Sequence, residues 1–162
     1  GSTLDDVKNA AAAEMNIVCS AAAIKAAEYL KEKFGTPYEI EYPRSCLPEE
    51  IVQKAYNFAD KNVLVIHNQT AADAVRELIT EKSGKCHCTS ATFFMQKKEL
   101  SQQSDFFLAD ESDLCDNVGD NYDVVIADKT LRRVMKNFSG EFIDFPHFGL
   151  SGRLLQGESE KI

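Results

Sequence analysis

Three features of this sequence predict a parallel α/β fold with helices on both faces of its sheet. Val63-Leu64-Val65-Ile66 is an unbroken apolar run in which three residues are β-branched, as a central strand covered on both faces requires. Tyr122 to Ala127 repeats that pattern further along. Asn16 to Tyr42 reads as strand, helix, strand, with Gly35 closing the helix and Pro37 stopping it. Strands alternating with helices pack as a three-layer, Rossmann-like sheet, in one domain or two small lobes.

Each element has its own signals. Thr3 is an N-cap followed by Asp5 and Asp6, so Thr3 to Glu14 is a lead-in helix. Met15, Ile17 and Val18 make the first short strand, and Ala23, Ala26, Ala27, Leu30 and Phe34 recur at helical spacing after it. Tyr38 to Tyr42 is the second strand. The loop Pro43 to Pro48 leads into a helix over Glu49 to Asp60 with Ile51, Ala55, Phe58 and Ala59 inward. Asn68-Gln69-Thr70 caps the helix from Ala71 to Lys82, whose buried stripe is Ala74, Val75, Leu78 and Ile79; Ser83-Gly84 ends it. Lys85 to Phe94 is extended, Lys97 to Ser104 is a polar loop or short helix, and Phe106 to Ala109 is a brief strand. Asp110 to Val118 is a short acidic helix, Asp128 to Phe138 a further helix ending at Ser139-Gly140, and Glu141 to Phe145 the last strand.

Composition narrows the function. Of 162 residues, 44% are apolar and 27% charged, and no apolar run reaches the ~18 residues of a membrane span. A net charge of -8 argues against a nucleic-acid partner, which calls for a basic face. The five cysteines are odd in number and lack a secreted-scaffold pattern, so a reducing cytoplasm is expected. Gly1-Ser2 lacks an initiator Met and reads as a cloning scar, which implies a piece of a longer protein. No Gly-x-Gly-x-x-Gly or Walker pattern occurs. The expected division is a tag remnant and lead-in helix over 1–15, the α/β domain over 16–155 and a flexible tail over 156–162.

Cys19 stands at the turn after the first strand, facing the amino end of the next helix, a setting that favours thiolate. The plainer reading is a structural cysteine. His147 lies just past the last strand and can project from the same carboxyl edge, or simply be hydrogen-bonded in its loop. Cys86-His87-Cys88 is a poor metal site, because His87 points away from the face that the two cysteines share. Cys46 and Cys115 read as incidental, and the acidic residues from Asp105 to Asp123 as a solvated face.

Asn16-Ile17-Val18-Cys19 through Lys33-Phe34-Gly35-Thr36-Pro37-Tyr38 resembles the component 1 family of nitrogenases, together with its cofactor-assembly scaffolds and the dark-operative protochlorophyllide reductases. Counting back from Gly35, the family's cofactor-holding cysteine falls on Cys19. Tyr122 to Asp128 and Gly140 to His147 resemble the family's final strand, helix and strand, and counting forward from Gly140 the molybdenum-end histidine falls on His147. The resemblance implies that Cys19 and His147 are metal ligands, holding an iron-sulfur or iron-molybdenum-type cluster in the full-length protein, with this fragment carrying none. It also implies an iron-sulfur reductase as electron donor, and the remainder of the chain or a second component 1 subunit as structural partner. The sequence departs from the family where a Gly-Gly turn and an arginine are replaced by Asn68-Gln69-Thr70-Ala71; Asn68 and Gln69 are then expected to take over hydrogen bonding to the cofactor. Lys129 is the nearest counterpart of the family's homocitrate lysine, offset from it. The alternative function is a non-catalytic cofactor-assembly scaffold or metal-chelate binding domain.

Overall fold

The computed structural model describes residues 3–118 and 121–150; the expected tail over 156–162 and Gly1-Ser2 lie outside them. Five parallel strands form the main sheet: β3 (Asn62–Ile66), β4 (His87–Thr92), β5 (Phe106–Phe107), β6 (Val124–Ala127) and β7 (Glu141–Asp144), in the order β5-β4-β3-β6-β7. The chain moves outward from β3 to β5, then returns to the other side of β3 for β6 and β7. Consecutive connections therefore diverge at the carboxyl ends of β3 and β6, and such a switch point opens a crevice in doubly wound sheets.

The three layers follow from strand alternation. Val63, Val65, Val124, Ile126 and Ile143 face a core completed by α3 (Glu49–Lys54) and α4 (Gln69–Ser83). Leu64, Ile66, Val125 and Ala127 face the opposite core, completed by α5 (Glu111–Val118) and by Leu131, Met135 and Phe138. Val63 to Ile66 are fully buried, and each such side chain stabilises the fold by roughly 1.5–3 kcal/mol relative to exposure. No helix among the described residues is long and apolar enough to cross a membrane.

The first two strands do not join this sheet. Among the described residues β1 (Asn16–Val18) pairs only with β2 (Tyr38–Ile40), in parallel, around a small core of Val18, Ala21, Ile24 and Ala27. The expectation that Cys19 and His147 leave one continuous sheet is thereby corrected. The helix between these strands starts as a 3-10 turn at Ala21–Ala23, and α2 proper spans Ile24–Phe34. A 3-10 turn winds more tightly than an α-helix, so the apolar stripe is out of phase with the sequence count: Ala21, Ile24 and Ala27 are buried while Phe34 is 54% exposed. Gly35 at φ 76° ends the helix as expected. The lead-in helix, α1, spans Leu4–Asn9, with Thr3 and Asp6 in a capping box.

The expected helix over Asp128 to Phe138 is a 3-10 segment over Lys129–Arg133 followed by turns. Asp128 accounts for this, because its carboxylate accepts from Thr130 N and from His147 N and pins the chain after β6 in a tight bend. Likewise α3 stops at Lys54, and Asp60 at φ 58° turns the chain into β3. Gly140 closes no helix. A Cβ there would stand 2.5 Å from the Asp123 carbonyl oxygen and 2.5 Å from the Phe138 ring. Gly140→Ala is expected to lose about 1–3 kcal/mol through overpacking, read as a lower urea midpoint at unchanged slope.

Candidate functional site

The carboxyl ends of β3, β6 and β7 bring together residues far apart in sequence. Register pairs Ile66 with Ala127, so the residues that follow, His67 and Asp128, sit at neighbouring strand ends. β7 runs on through Phe145 and Pro146 to His147. The two imidazoles meet with ring centroids 4.6 Å apart, and both are buried, at 4% and 1% exposure. Aromatic rings pack against them: Phe145 stacks on His67 at 4.0 Å, Phe94 and Phe148 each stack on His147 at 4.1 and 4.8 Å, and Tyr42 meets His67 edge-on at 6.4 Å.

Hydrogen bonds fix the tautomers. His67 Nε2 lies 3.3 Å from the Pro146 carbonyl oxygen, which can only accept, so Nε2 carries the proton and Nδ1 holds a lone pair. That Nδ1 is buried without a hydrogen-bond partner among the described residues. His147 Nδ1 accepts from Gly149 N at 3.0 Å, which leaves its proton on Nε2. Burial, with His147 adding to it, lowers His67 to about 4. Burial also lowers His147, against the pull of Asp128. Both rings are therefore neutral at physiological pH.

Cys19 follows β1, half-exposed, and its carbonyl accepts from the Thr70 hydroxyl at 2.5 Å, tying the β1–β2 pair to the start of α4. Its thiol is raised, by burial first and then by Cys46 and Glu41, contrary to the thiolate-favouring setting read from sequence. The following helix begins in a 3-10 turn, and an acidic neighbour replaces the expected positive field. Thr70, hydrogen-bonded to the Cys19 carbonyl, and Tyr42, packed edge-on against His67, line one cleft.

The other expected site residues have structural partners. Asn68 caps α4, accepting from Ala71 N and the Thr70 hydroxyl, both at 2.9 Å. Gln69 is 2% exposed; its amide donates to Lys97 O and Ser101 Oγ and accepts from Lys97 N. Lys129 is exposed, and its backbone N donates to Asp144. Sequence reasoning missed His67, Asp128 and Tyr42. The rule that singled out His147, a polar residue just past a buried strand, applies equally to His67 and Asp128.

A cleft of about 310 Å³ opens between the chain after β2 and α4, lined by Tyr42, Thr70, Glu41, Arg44, Asp73 and Glu77 among others. Asp73 is raised to about 6, chiefly by burial, with Arg76 opposing and Asp105 and Glu77 adding. A raised carboxyl contributes stability that is full below its unfolded value near 3.8 and lost as pH rises through about 6. Asp73→Asn should therefore stabilise the chain by ~1–2 kcal/mol at pH 7.5 and by nothing at pH 3.5. Urea unfolding of both proteins at the two pH values checks this.

No family model and no curated protein matches the chain in sequence. Among solved structures, "Nitrogenase Cp1 at pH 6.5" is similar with a TM-score of 0.57 and 14% identity over 94% of this chain. Glutamate racemase from Aquifex pyrophilus aligns over 93% of this chain and 60% of its own, at 16% identity and a TM-score of 0.38. The chain spans 42% of the nitrogenase chain it matches. The parallel α/β sheet flanked by helices is thus the architecture this chain shares with that nitrogenase structure.

Proposed function

We propose that this chain is the cofactor-side α/β domain, over 16–155, of a nitrogenase-like component 1 protein, in which Cys19 and His147 hold the two ends of a metallocluster. The observation that supports the reading is the buried His67–His147 pair, with Tyr42, which meets His67, lining the same cleft as Thr70, which bonds to the Cys19 carbonyl. Thiolate sulfur and imidazole nitrogen are the donor types that suit iron-sulfur and heterometal clusters, and the unpartnered lone pair on His67 Nδ1 is a buried acceptor of the kind such a group would use. The donor set fits. The cluster would supply the electron-transfer chemistry.

The chain's own residues then have separate tasks. Cys19 would give up its proton on binding, since only thiolate ligates, and burial, then Cys46 and Glu41, raise the thiol and keep it protonated until then. Ligation by His147 Nε2 requires the proton to move to Nδ1, which in turn releases the Gly149 N–H. Asp128 holds the His147 backbone in place through a 2.8 Å hydrogen bond. Phe94, Phe145 and Phe148 exclude water from the imidazoles. Asn68, Gln69 and Lys129, engaged in structural hydrogen bonds, have no ligand role in this reading. An iron-sulfur reductase is the electron donor in this scheme. A companion subunit or the rest of the chain would cover the open apolar groove of Val7, Tyr29, Leu30 and Phe34 between α1 and α2. A reducing cytoplasm suits the thiol ligand.

The closed state of His147 and the protonated state of Cys19 favour a second reading, a cofactor-assembly scaffold that takes up a cluster and passes it on. Anaerobic visible and electron paramagnetic resonance spectra of the full-length protein test both. Cluster signals lost in Cys19→Ala and His147→Ala support ligation, and a cluster that transfers to an apo-acceptor protein selects the scaffold.

A further inference from the structure

A cleft of about 720 Å³ lies between α5 and the turns that follow β6, on the opposite face of the sheet from α4. Its setting follows from the bend after β6. Asp128 holds that chain in a 3-10 segment over Lys129–Arg133 followed by turns, so no regular helix packs alongside α5 there. One wall is the α5 stripe of Glu111, Cys115 and Val118, spaced i, i+4 and i+7 and so on one helix face, about 10 Å long at ~1.5 Å per residue. The other wall is the chain from Arg133 to Phe138, whose Val134 carbonyl accepts from the Cys115 thiol at 3.5 Å. Burial separates two kinds of lining. Val118, Met135 and Phe138 are buried and form an apolar floor, while Arg133, Lys136 and Cys115 are exposed at the rim. The rim is cationic: Arg133 and Lys136 stand against the single carboxylate of Glu111, in a chain whose net charge is -8. Among the described residues neither cation enters a salt bridge, whereas the neighbouring Arg132 is placed over the Phe142 ring at 5.2 Å.

We propose that this cleft binds a small amphipathic carboxylate, with its apolar body on Val118, Met135 and Phe138 and its carboxylate against Arg133 and Lys136. The volume is that of a small-molecule site, which typically spans roughly 300–1,000 Å³ and joins an apolar lining to a few polar groups. Arg133 offers a planar fork that a carboxylate meets with two hydrogen bonds, and Lys136 adds a point charge. Other ligand classes fit less well. An organic cation would meet two like charges, a neutral apolar molecule would leave both cations unused, and a metal ion would find only the Cys115 thiol and the Glu111 carboxylate. None of these residues takes part in the cluster reading, so the two stand or fall separately.

Cys115 reports occupancy of the cleft, because a ligand seated there covers its thiol. Iodoacetamide alkylates it in one step: the sulfur–carbon bond forms, the carbon–iodine bond breaks, iodide departs and the thiol proton goes to solvent. The rate is read by peptide mass spectrometry on the 162-residue chain, with the exposed Cys46, which lies outside the cleft, as internal reference. Octanoate at saturation should slow alkylation of Cys115 at least fivefold and leave Cys46 unchanged. Acetate, which has the charge without the apolar body, and octylammonium, which has the body with the opposite charge, should protect neither. Arg133→Gln with Lys136→Gln should weaken the protection by octanoate roughly tenfold, since each charge contact in water is worth a factor of a few. Both side chains are exposed, so the fold should survive the change, and circular dichroism checks that it does. Equal protection by octylammonium, or protection that survives the double variant in full, overturns the proposal by showing an apolar patch without charge selection. Failure of octanoate to slow Cys115, or equal slowing at Cys46, overturns it as well.

Discussion

Asp105→Ala should cost about 3–5 kcal/mol, the largest loss expected from any single polar substitution in this chain. The Asp105 side chain is 2% exposed and ties three segments together: it accepts from Ser90 N on β4 at 2.9 Å, from Gln102 N at 2.8 Å and from the Arg76 guanidinium of α4. Its removal strands two backbone N–H groups and leaves Arg76, 8% exposed at its side chain, with Asp73 at 3.3 Å as its carboxylate partner. Arg76 Nε already lacks a hydrogen-bond partner among the described residues. A domain of this size has roughly 5–15 kcal/mol of stability, so the variant should unfold at much lower urea. Arg76→Met together with Asp105→Ala should lose less than the two single changes added, because neither member of the Arg76–Asp105 ion pair is then left buried without the other. An additive double variant would show that the ion pair carries none of the effect.

Asp128→Ala should follow at about 3 kcal/mol, and it should also disturb the site. The carboxylate is fully buried and accepts from Thr130 N at 2.9 Å, Thr130 Oγ1 at 2.7 Å and His147 N at 2.8 Å. The variant leaves these donors in a dry environment and frees the backbone that sets His147 against Phe94. Urea unfolding should show the loss. The imidazole proton resonances of His67 and His147 should shift together, since the rings are in contact. Asp128→Asn should lose less, because its amide oxygen still serves Thr130. If Asp128→Ala shifts neither resonance, Asp128 is a local cap with no part in positioning His147.

Much of the sheet could be read from sequence because its information is local. The apolar run at Val63–Ile66 admits only a strand covered on both faces, and the Asn68 cap with Gly84 at the far end bounds α4 within two residues of expectation. What stayed hidden depends on partners distant in the chain. Nothing within Asn16–Val18 says that it pairs with Tyr38–Ile40 alone, apart from the sheet beside it. The stretch Asp128 to Phe138 reads as a helix closed by Ser139-Gly140, and Leu131, Val134, Met135 and Phe138 are in fact apolar at helical spacing. Asp128 overrides that spacing by bonding both to Thr130 and to His147, seventeen positions beyond Thr130. For the site, Cys19 and His147 stood out as residues just past strands, whereas His67 and Asp128 become neighbours only through the register of β3 with β6. Gln69 was expected to turn toward a ligand. Its amide instead holds the Lys97–Ser101 segment by three hydrogen bonds that no short-range pattern announces.

The central claim is that Cys19 is a cluster ligand in the full-length protein. Iron and acid-labile sulfide analysis of that protein, purified without oxygen, tests it most directly. The account predicts both elements bound in the native protein and both lost in Cys19→Ala, with the fold kept intact as judged by circular dichroism. A native protein free of iron and sulfide, or a Cys19→Ala variant that retains both in full, would contradict it.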